Sequence, residues 1–261
     1  MQNLSTDDST YQSVSPGTGT SKSLFPSLRF YPRFLKVVYQ SAALAKRGQY
    51  TPEVWQDYSI QVLRALESVG VEFDVRGLEH IKAVDGPVIF VGNHLSVLET
   101  VTLPSWILSY KTFTYVIKQS LLEVPVFKHV MSSRSPIAVT RTNPRQDLKT
   151  VLEQGVERVS RNLSIVVFPQ TTRTAFNPEQ FSTIGVKLAR RAGVPIIPLA
   201  LLTDAWENGK ISKDFGKIVP SRKVFFAFGE PILVEGKGSE EHQQIIDFIE
   251  SNLAVWERER K

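Results

Sequence analysis

The chain has 261 residues, 42% hydrophobic and 22% charged, with a formal net charge of +5. This is ordinary globular composition, long enough to bury a core. The absence of cysteine excludes disulfides, thiolate nucleophiles, iron–sulfur clusters and Cys-ligated zinc together, and no run approaches the 18 or so apolar residues of a membrane span.

Residues 1–22 are rich in Ser and Thr, carry Asp7 and Asp8 in place of a basic start, and contain no apolar run. They read as a disordered tail rather than a signal peptide. The segment 23–50 holds Arg29, Arg33, Lys36, Lys46 and Arg47 and no acid, interleaved with Phe25, Leu28, Phe30, Phe34, Leu35 and Tyr39. That mixture suits a helix lying in the interface of an anionic bilayer; it equally suits a helix packed on the domain with a solvated basic face. Val54, Tyr58, Val62, Leu66 and Val69 then predict an amphipathic helix that Pro52 starts and Gly70 ends.

From Val71 strand-like and helix-like runs alternate. Strands are expected over 71–76, 87–91, 112–117, 136–140, 163–168, 194–201 and 223–228. Helices are expected over 97–108, 121–131, 144–160, 183–192 and 240–256. Short Val-, Ile- and Phe-rich strands between helices predict an α/β fold: a mixed, largely parallel central sheet covered by helices, preceded by an N-terminal helical segment.

The run Val88-Ile-Phe-Val-Gly-Asn-His-Leu-Ser-Val-Leu-Glu99 takes a buried strand through a turn into a helix, the place where open α/β sheets carry their sites. Five helical steps of about 100° would put His94 and Glu99 on different faces. A dyad therefore requires His94 in the turn, with Glu99 in the first helical turn. Glu99 would then hold one ring nitrogen and leave the other as a base, and the helix N-terminus would favour neutral imidazole. The same residues read as a capping box, Ser96 the cap and Glu99 its reciprocal partner. Lys118, Arg141 and Arg173 each follow the C-terminal end of a predicted strand, the arrangement a phosphate site needs. No histidine pair has metal-ligand spacing, and His80, His129 and His242 read as structural or surface groups. Asp214-Phe-Gly-Lys217 lacks the rest of a kinase signature, and Gly236-Lys-Gly-Ser239 lacks the Walker spacing.

From about Val71 to Glu235 the chain resembles the glycerolipid acyltransferase superfamily, which includes lysophosphatidate acyltransferase. The resemblance rests on four blocks in order. They are Asn93-His94 with Glu99; Lys118, Leu121 and Pro125 with a strand ending at Arg141; Phe168-Pro-Gln-Thr-Thr-Arg173; and Val194-Pro-Ile-Ile-Pro198. Glu99 stands where the family's Asp is usual, Gln170-Thr171 where Glu-Gly is usual, and Lys128 where a small residue is usual. The resemblance implies an acyltransferase domain over 71–257, after the tail (1–22) and an interfacial helical segment (23–70).

It further implies transfer of a fatty acyl group from acyl-CoA or acyl carrier protein to a lysophospholipid hydroxyl, most simply that of 1-acylglycerol-3-phosphate. The same chemistry on another lyso-acceptor, or a lipid-binding protein without catalysis, are the alternatives. His94 would be the base and Glu99 its orienting acid. Asn93, Lys118, Arg141, Gln170, Thr171, Thr172 and Arg173 would bind substrate, with Gln170 reaching a glycerol hydroxyl. The implied chemistry needs no cofactor and no metal. The implied partners are the thioester donor, the lysophospholipid and an anionic membrane surface at the cytoplasmic face. Nucleic acid is set aside, because the positive charge concentrates in 23–50 and 111–149 and leaves the remainder acidic.

Overall fold

The computed structural model describes residues 9–13, 25–124, 127–170, 172–210 and 212–260. Its strands are β1 (Thr10–Gln12), β2 (Phe73–Arg76), β3 (Ile89–Gly92), β4 (Phe113–Lys118), β5 (Ile137–Val139), β6 (Ser164–Val167), β7 (Ile196–Leu202) and β8 (Val224–Phe228). Its α-helices are α1 (Pro26–Lys46), α2 (Pro52–Glu67), α3 (Leu78–Lys82), α4 (Val97–Ile107), α5 (Phe127–Ser132), α6 (Pro144–Ser160), α7 (Ile184–Ala192) and α8 (Ser239–Glu259). The strands form one sheet in the order β1-β2-β8-β7-β3-β6-β4-β5. Pairing is parallel from β7 through β3, β6 and β4 to β5, and between β2 and β8. β1–β2 and β7–β8 are antiparallel. The expected mixed, largely parallel sheet is therefore present, and β3, β6, β7 and β8 are buried along their length, as strands covered on both faces are.

Each sheet face has its own core. One gathers Phe34, Trp55, Leu66, Trp106, Tyr115 and Trp206 beneath α1, α2 and α4. The other gathers Val139, Val151, Ile165, Leu188, Ile245 and Trp256 beneath α6, α7 and α8. α1 is the packed helix that the sequence allowed: Phe30 and Phe34 set their rings edge-on to Trp206 at 4.8 and 5.0 Å. It also keeps a second apolar stripe outside. The buried face of α2 is turned slightly from the predicted stripe, onto Trp55, Ser59, Val62, Leu63 and Leu66. The cause is polar: the Ser59 hydroxyl sits against α4, donating to the Val101 carbonyl at 2.7 Å and lying 2.8 Å from the Ser105 hydroxyl. α2 ends at Glu67, three residues before Gly70.

Three expectations need correction. Thr10–Gln12 is not disordered tail but an edge strand on β2. Tyr11 is buried, packs on Trp106 at 4.8 Å and donates to Glu67 at 2.5 Å. Apart from 9–13, the predicted tail lies outside the described residues. The predicted helix over 121–131 is instead a 3₁₀ turn (Gln119–Leu122) and the separate α5; Val124 precedes a proline, a position biased away from helix. The short helix α3, not expected, starts at Gly77, whose φ of +80° is a left-handed conformation glycine adopts freely.

β3 and β7 approach closely because Gly92 ends β3. A Cβ there would stand 2.6 Å from the Leu199 carbonyl oxygen. The missing side chain lets the next residues, Asn93 and His94, sit directly on the end of β7.

Candidate active site

Parallel pairing of β3 with β7 ends at Gly92–Leu199, and the Asn93 side chain extends it. Its amide donates to the Leu201 carbonyl at 2.8 Å, and its oxygen accepts from the Leu201 N–H at 2.9 Å. Asn93 is buried, and both halves of its amide are spent on β7. Its role is to fix where the chain leaves the sheet.

His94 follows in the turn, outside the helix, as the dyad requires. Its Nδ1 lies 2.9 Å from Glu99 Oε1. A carboxylate can only accept, so Nδ1 carries the proton, and in a neutral ring Nε2 keeps its lone pair. The ring lies parallel to that of Phe168, 5° apart in plane and 4.4 Å between centroids. Dyad and stack together leave the imidazole little rotational freedom.

Glu99 is fully buried, and its oxygens are shared between two functions. Oε1 accepts from His94 and from the N–H groups of Leu95 (2.7 Å) and Ser96 (2.9 Å). Oε2 accepts from the Ser96 hydroxyl at 3.0 Å and the Thr203 hydroxyl at 2.5 Å. The capping box is complete, with Ser96 also accepting from the Leu98 N–H at 3.1 Å. One side chain thus makes both the contact to His94 and the helix cap. Burial pushes the carboxyl up, but hydrogen bonding and attraction to His94, the Thr203 hydroxyl and the Ser96 N–H outweigh it and hold Glu99 below the usual carboxylate range. The negative charge reaches further: Tyr115, whose hydroxyl donates to the Thr100 carbonyl at 3.0 Å, is pushed well up, first by burial and then by Glu99.

The third block closes the site from β6. Gln170 is 3% exposed. Its oxygen accepts from the His94 N–H at 3.3 Å, and its nitrogen donates to the Ala175 carbonyl at 3.1 Å and the Thr174 hydroxyl at 3.4 Å. The Thr174 N–H in turn donates to the His94 carbonyl at 3.1 Å. Gln170 therefore ties Thr174 and Ala175 to the His94 turn. Thr171 lies outside the described residues. Thr172 accepts at its hydroxyl from Lys213 Nζ at 2.9 Å.

Lys118, Arg141 and Arg173 lie at or beyond the ends of β4, β5 and β6. Arg173 pairs with Asp214 at 2.6 Å, so the Asp-Phe-Gly-Lys segment set aside as a motif supplies its counter-ion. Arg141 follows β5 in a left-handed conformation (φ +62°). The Asp147 carboxylate, in the first turn of α6, accepts from the N–H of Arg141 at 2.7 Å and of Thr140 at 2.8 Å and holds that bend. Burial, and then the positive charge of Arg173, push the Arg141 guanidinium down against the pull of Asp147. The two guanidinium groups thus lie within electrostatic reach of one another. Lys118 ends β4, exposed, with β5 alongside. Thr203, Phe168 as a stacking partner, Asp147 and the counter-ion role of Asp214 escaped the sequence reading; Phe168 and Asp214 lay in segments that drew attention for other reasons.

The family described as Acyltransferase matches residues 72–202. The chain is 31% identical over 155 residues to 1-acyl-sn-glycerol-3-phosphate acyltransferase of Pseudomonas aeruginosa, covering 59% of this chain and 58% of that protein. It is 31% identical over 132 residues to the chloroplastic 1-acyl-sn-glycerol-3-phosphate acyltransferase BAT2 of Brassica napus, covering 49% and 37%. The chain thus spans well under two thirds of these curated relatives. Among solved structures, the 1-acyl-sn-glycerophosphate (LPA) acyltransferase PlsC from Thermotoga maritima has the same fold. Its TM-score is 0.66 over 89% of this chain and 95% of that one, at 18% identity.

Proposed function

Since the chain belongs to the Acyltransferase family, we propose that it transfers a fatty acyl group from a thioester donor, acyl-CoA or acyl carrier protein, to the free hydroxyl of 1-acylglycerol-3-phosphate. The observation that carries this reading is the His94–Glu99 pair, 2.9 Å apart, beside Arg141 and Arg173.

His94 Nε2 takes the proton of the acceptor hydroxyl as its oxygen attacks the thioester carbonyl. The imidazolium so formed is stabilised by Glu99 through Nδ1–H. When the tetrahedral intermediate collapses, the C–S bond breaks and His94 returns the proton to the departing thiolate. The products are an ester and a free thiol. No acyl-enzyme is required, and His94 ends in the state in which it began. Arg141 and Arg173 hold the acceptor phosphate by charge-assisted hydrogen bonds, with Lys118 at the edge of the same field.

The test is thioester consumption by the purified chain with a panel of lysophospholipids. Highest kcat/KM for 1-acylglycerol-3-phosphate is expected, and no turnover with any acceptor would overturn the reading. In the same assay Arg173→Ala is expected to raise the acceptor KM by about 10-fold or more, the scale of a lost charge-assisted hydrogen bond, with donor KM unchanged. Unaltered acceptor kinetics would remove Arg173 from the phosphate site.

We also propose that α1 rests on an anionic membrane surface. No helix of the described residues is long and apolar enough to cross a membrane. On the outer side of α1, Leu28 is 72% and Tyr39 62% exposed, with Phe25 and Leu35 beside them and Arg29, Arg33 and Lys36 flanking. Apolar side chains that enter the headgroup region between cations that pair with anionic lipid are the two elements of interfacial binding. Leu28→Asp with Tyr39→Asp is expected to reduce sedimentation with anionic vesicles about tenfold or more, leaving the thermal midpoint within a few degrees. Undiminished sedimentation would place the membrane contact elsewhere.

A further inference from the structure

Three residues at and just beyond the end of β7 brace the stretch 93–99. The Leu201 backbone pairs with the Asn93 amide, the Asn208 amide donates to the Leu95 carbonyl at 3.1 Å, and Thr203 meets both Ser96 and Glu99. Among the described residues, Thr203 is the one hydrogen-bond donor to the Glu99 carboxylate from outside 94–96. The other donors belong to the turn itself and move with it. A hydroxyl has one proton to give. That of Ser96 has three acceptors in reach: Glu99 Oε2 at 3.0 Å, the Thr203 carbonyl at 2.9 Å and the Thr203 hydroxyl at 3.0 Å. The Thr203 hydroxyl lies 2.5 Å from Oε2, within the range of about 2.5–2.7 Å for a hydroxyl bonded to a carboxylate. Thr203 is therefore the standing donor to Oε2, and the Ser96 proton is left to Thr203. Ser96, Glu99 and Thr203 are all buried, so bulk water does not compete for these bonds.

We propose that Thr203 is a positioning residue for the His94–Glu99 pair: its hydroxyl fixes Oε2 beside the end of β7 and thereby turns Oε1 to His94 Nδ1. The inference rests on the reaction proposed above. A capping box constrains its glutamate only relative to its own helix. Here the Leu95 N–H locates Oε1 at 2.7 Å, while the Ser96 N–H, 2.9 Å from Oε1 and 3.1 Å from Oε2, straddles the two oxygens. With Oε1 alone located, the carboxylate can still swing about that atom. With Oε2 tied to Thr203 its plane is set, and so is the direction from which it accepts the Nδ1 proton. Leu201 holds Asn93, the residue before His94, and Thr203 holds the acid behind it, so one strand end steadies the base from both sides. A base held by an oriented partner keeps one tautomer and one attitude. Without the Thr203 hydroxyl the imidazole keeps a partner, but no longer a fixed one. Thr203 itself touches no reacting atom; it acts through Glu99.

The test uses the full chain as wild type, Thr203→Val, which removes the hydroxyl at nearly constant shape, and Thr203→Ser, which keeps it. Turnover is measured beside the ring-nitrogen NMR spectrum of 15N-labelled protein, which reports the nitrogen that carries the imidazole proton; His94→Ala identifies the His94 signals. The wild type is expected to show the single Nδ1–H tautomer. In Thr203→Val both tautomers appear and kcat falls about tenfold or more, the scale of a lost hydrogen bond to a charged group, with both KM values unchanged. Thr203→Ser restores the single tautomer and most of kcat. A folded Thr203→Val protein with wild-type His94 signals and wild-type kcat, whatever its thermal midpoint, would reduce Thr203 to packing and overturn the proposal. The serine variant decides the matter even where the valine variant does not fold: mixed tautomers in Thr203→Ser would show that the methyl group, not the hydroxyl, holds the site. The two readings separate cleanly: mixed tautomers in Thr203→Val, without turnover by any form, uphold the positioning role and sink the proposed reaction.

Discussion

His94→Ala is expected to lower the acyl-transfer rate by about 10²–10⁴-fold, the usual contribution of a positioned general base and equivalent to about 3–5 kcal/mol of transition-state stabilisation. The fold should survive the change. Asn93 keeps its paired hydrogen bonds to Leu201, and the loop carrying Gln170 still meets the backbone of residue 94, since both contacts use main-chain atoms. What disappears is the Nδ1 bond to Glu99 and the stack on Phe168. The measurement is turnover beside a thermal melt. Full activity in a folded His94→Ala protein would transfer the base role to another group. Unaltered Kd for the acceptor, with kcat reduced, is the split that a base predicts and a binding residue does not.

Glu99→Gln should be the more instructive variant, because it disturbs two functions at once. An amide keeps the shape but can accept at one atom only. Donors that meet both Oε1 and Oε2 in the native site, from His94, Leu95, Ser96 and Thr203, cannot all be satisfied, and each buried donor left over costs about 1–3 kcal/mol. The thermal midpoint should therefore fall. The rate should fall too, by about 10²–10⁴-fold, since the imidazole loses the partner that fixes its tautomer and stabilises its charged form. A lower midpoint with unchanged kcat would reduce Glu99 to a helix cap.

The pH dependence of stability separates wild type from variant in a stated direction. The Glu99 carboxyl lies below its ordinary value of 4.5 in the fold. Its contribution to stability is fully present above that ordinary value and is lost as pH falls through the folded pKa. Between neutral pH and mild acid, the stability gap between wild type and Glu99→Gln should hold; it should narrow only in stronger acid. A gap that closed while still near neutrality would contradict the ionised, hydrogen-bonded carboxylate.

Much of the site was legible because it is local. A buried strand, a glycine, Asn-His and a capping box lie within twelve residues, and the geometry of a helix start forces Ser96 and Glu99 together whatever surrounds them. Alternating apolar strands and helices determined a largely parallel sheet, and strand ends determined that Lys118, Arg141 and Arg173 would lie along one edge. The chain also declared that no cysteine of its own takes part.

Tertiary structure decided what depends on partners distant in sequence. Asn93 and Gln170 look like substrate ligands in a linear motif, yet both amides are buried, and a buried amide must be satisfied by whatever the fold brings near. For Asn93 that is the backbone of Leu201, and for Gln170 the backbones of His94 and Ala175. Thr203, 104 residues beyond Glu99, is an undistinguished threonine until β7 is laid beside β3. Tyr11 turned part of a polar tail into a strand because a ring pocket at Trp106 and a carboxylate at Glu67 awaited it. The same holds for α1, whose aromatic residues fit a bilayer or a core equally well by composition. Only packing against Trp206 separates the buried Phe30 and Phe34 from the exposed Leu28 and Tyr39. Residue type and spacing specify which chemistry is available. The direction in which each polar group spends its hydrogen bonds is settled by the fold, because burial makes every unsatisfied group costly and long-range neighbours supply most of the remedies.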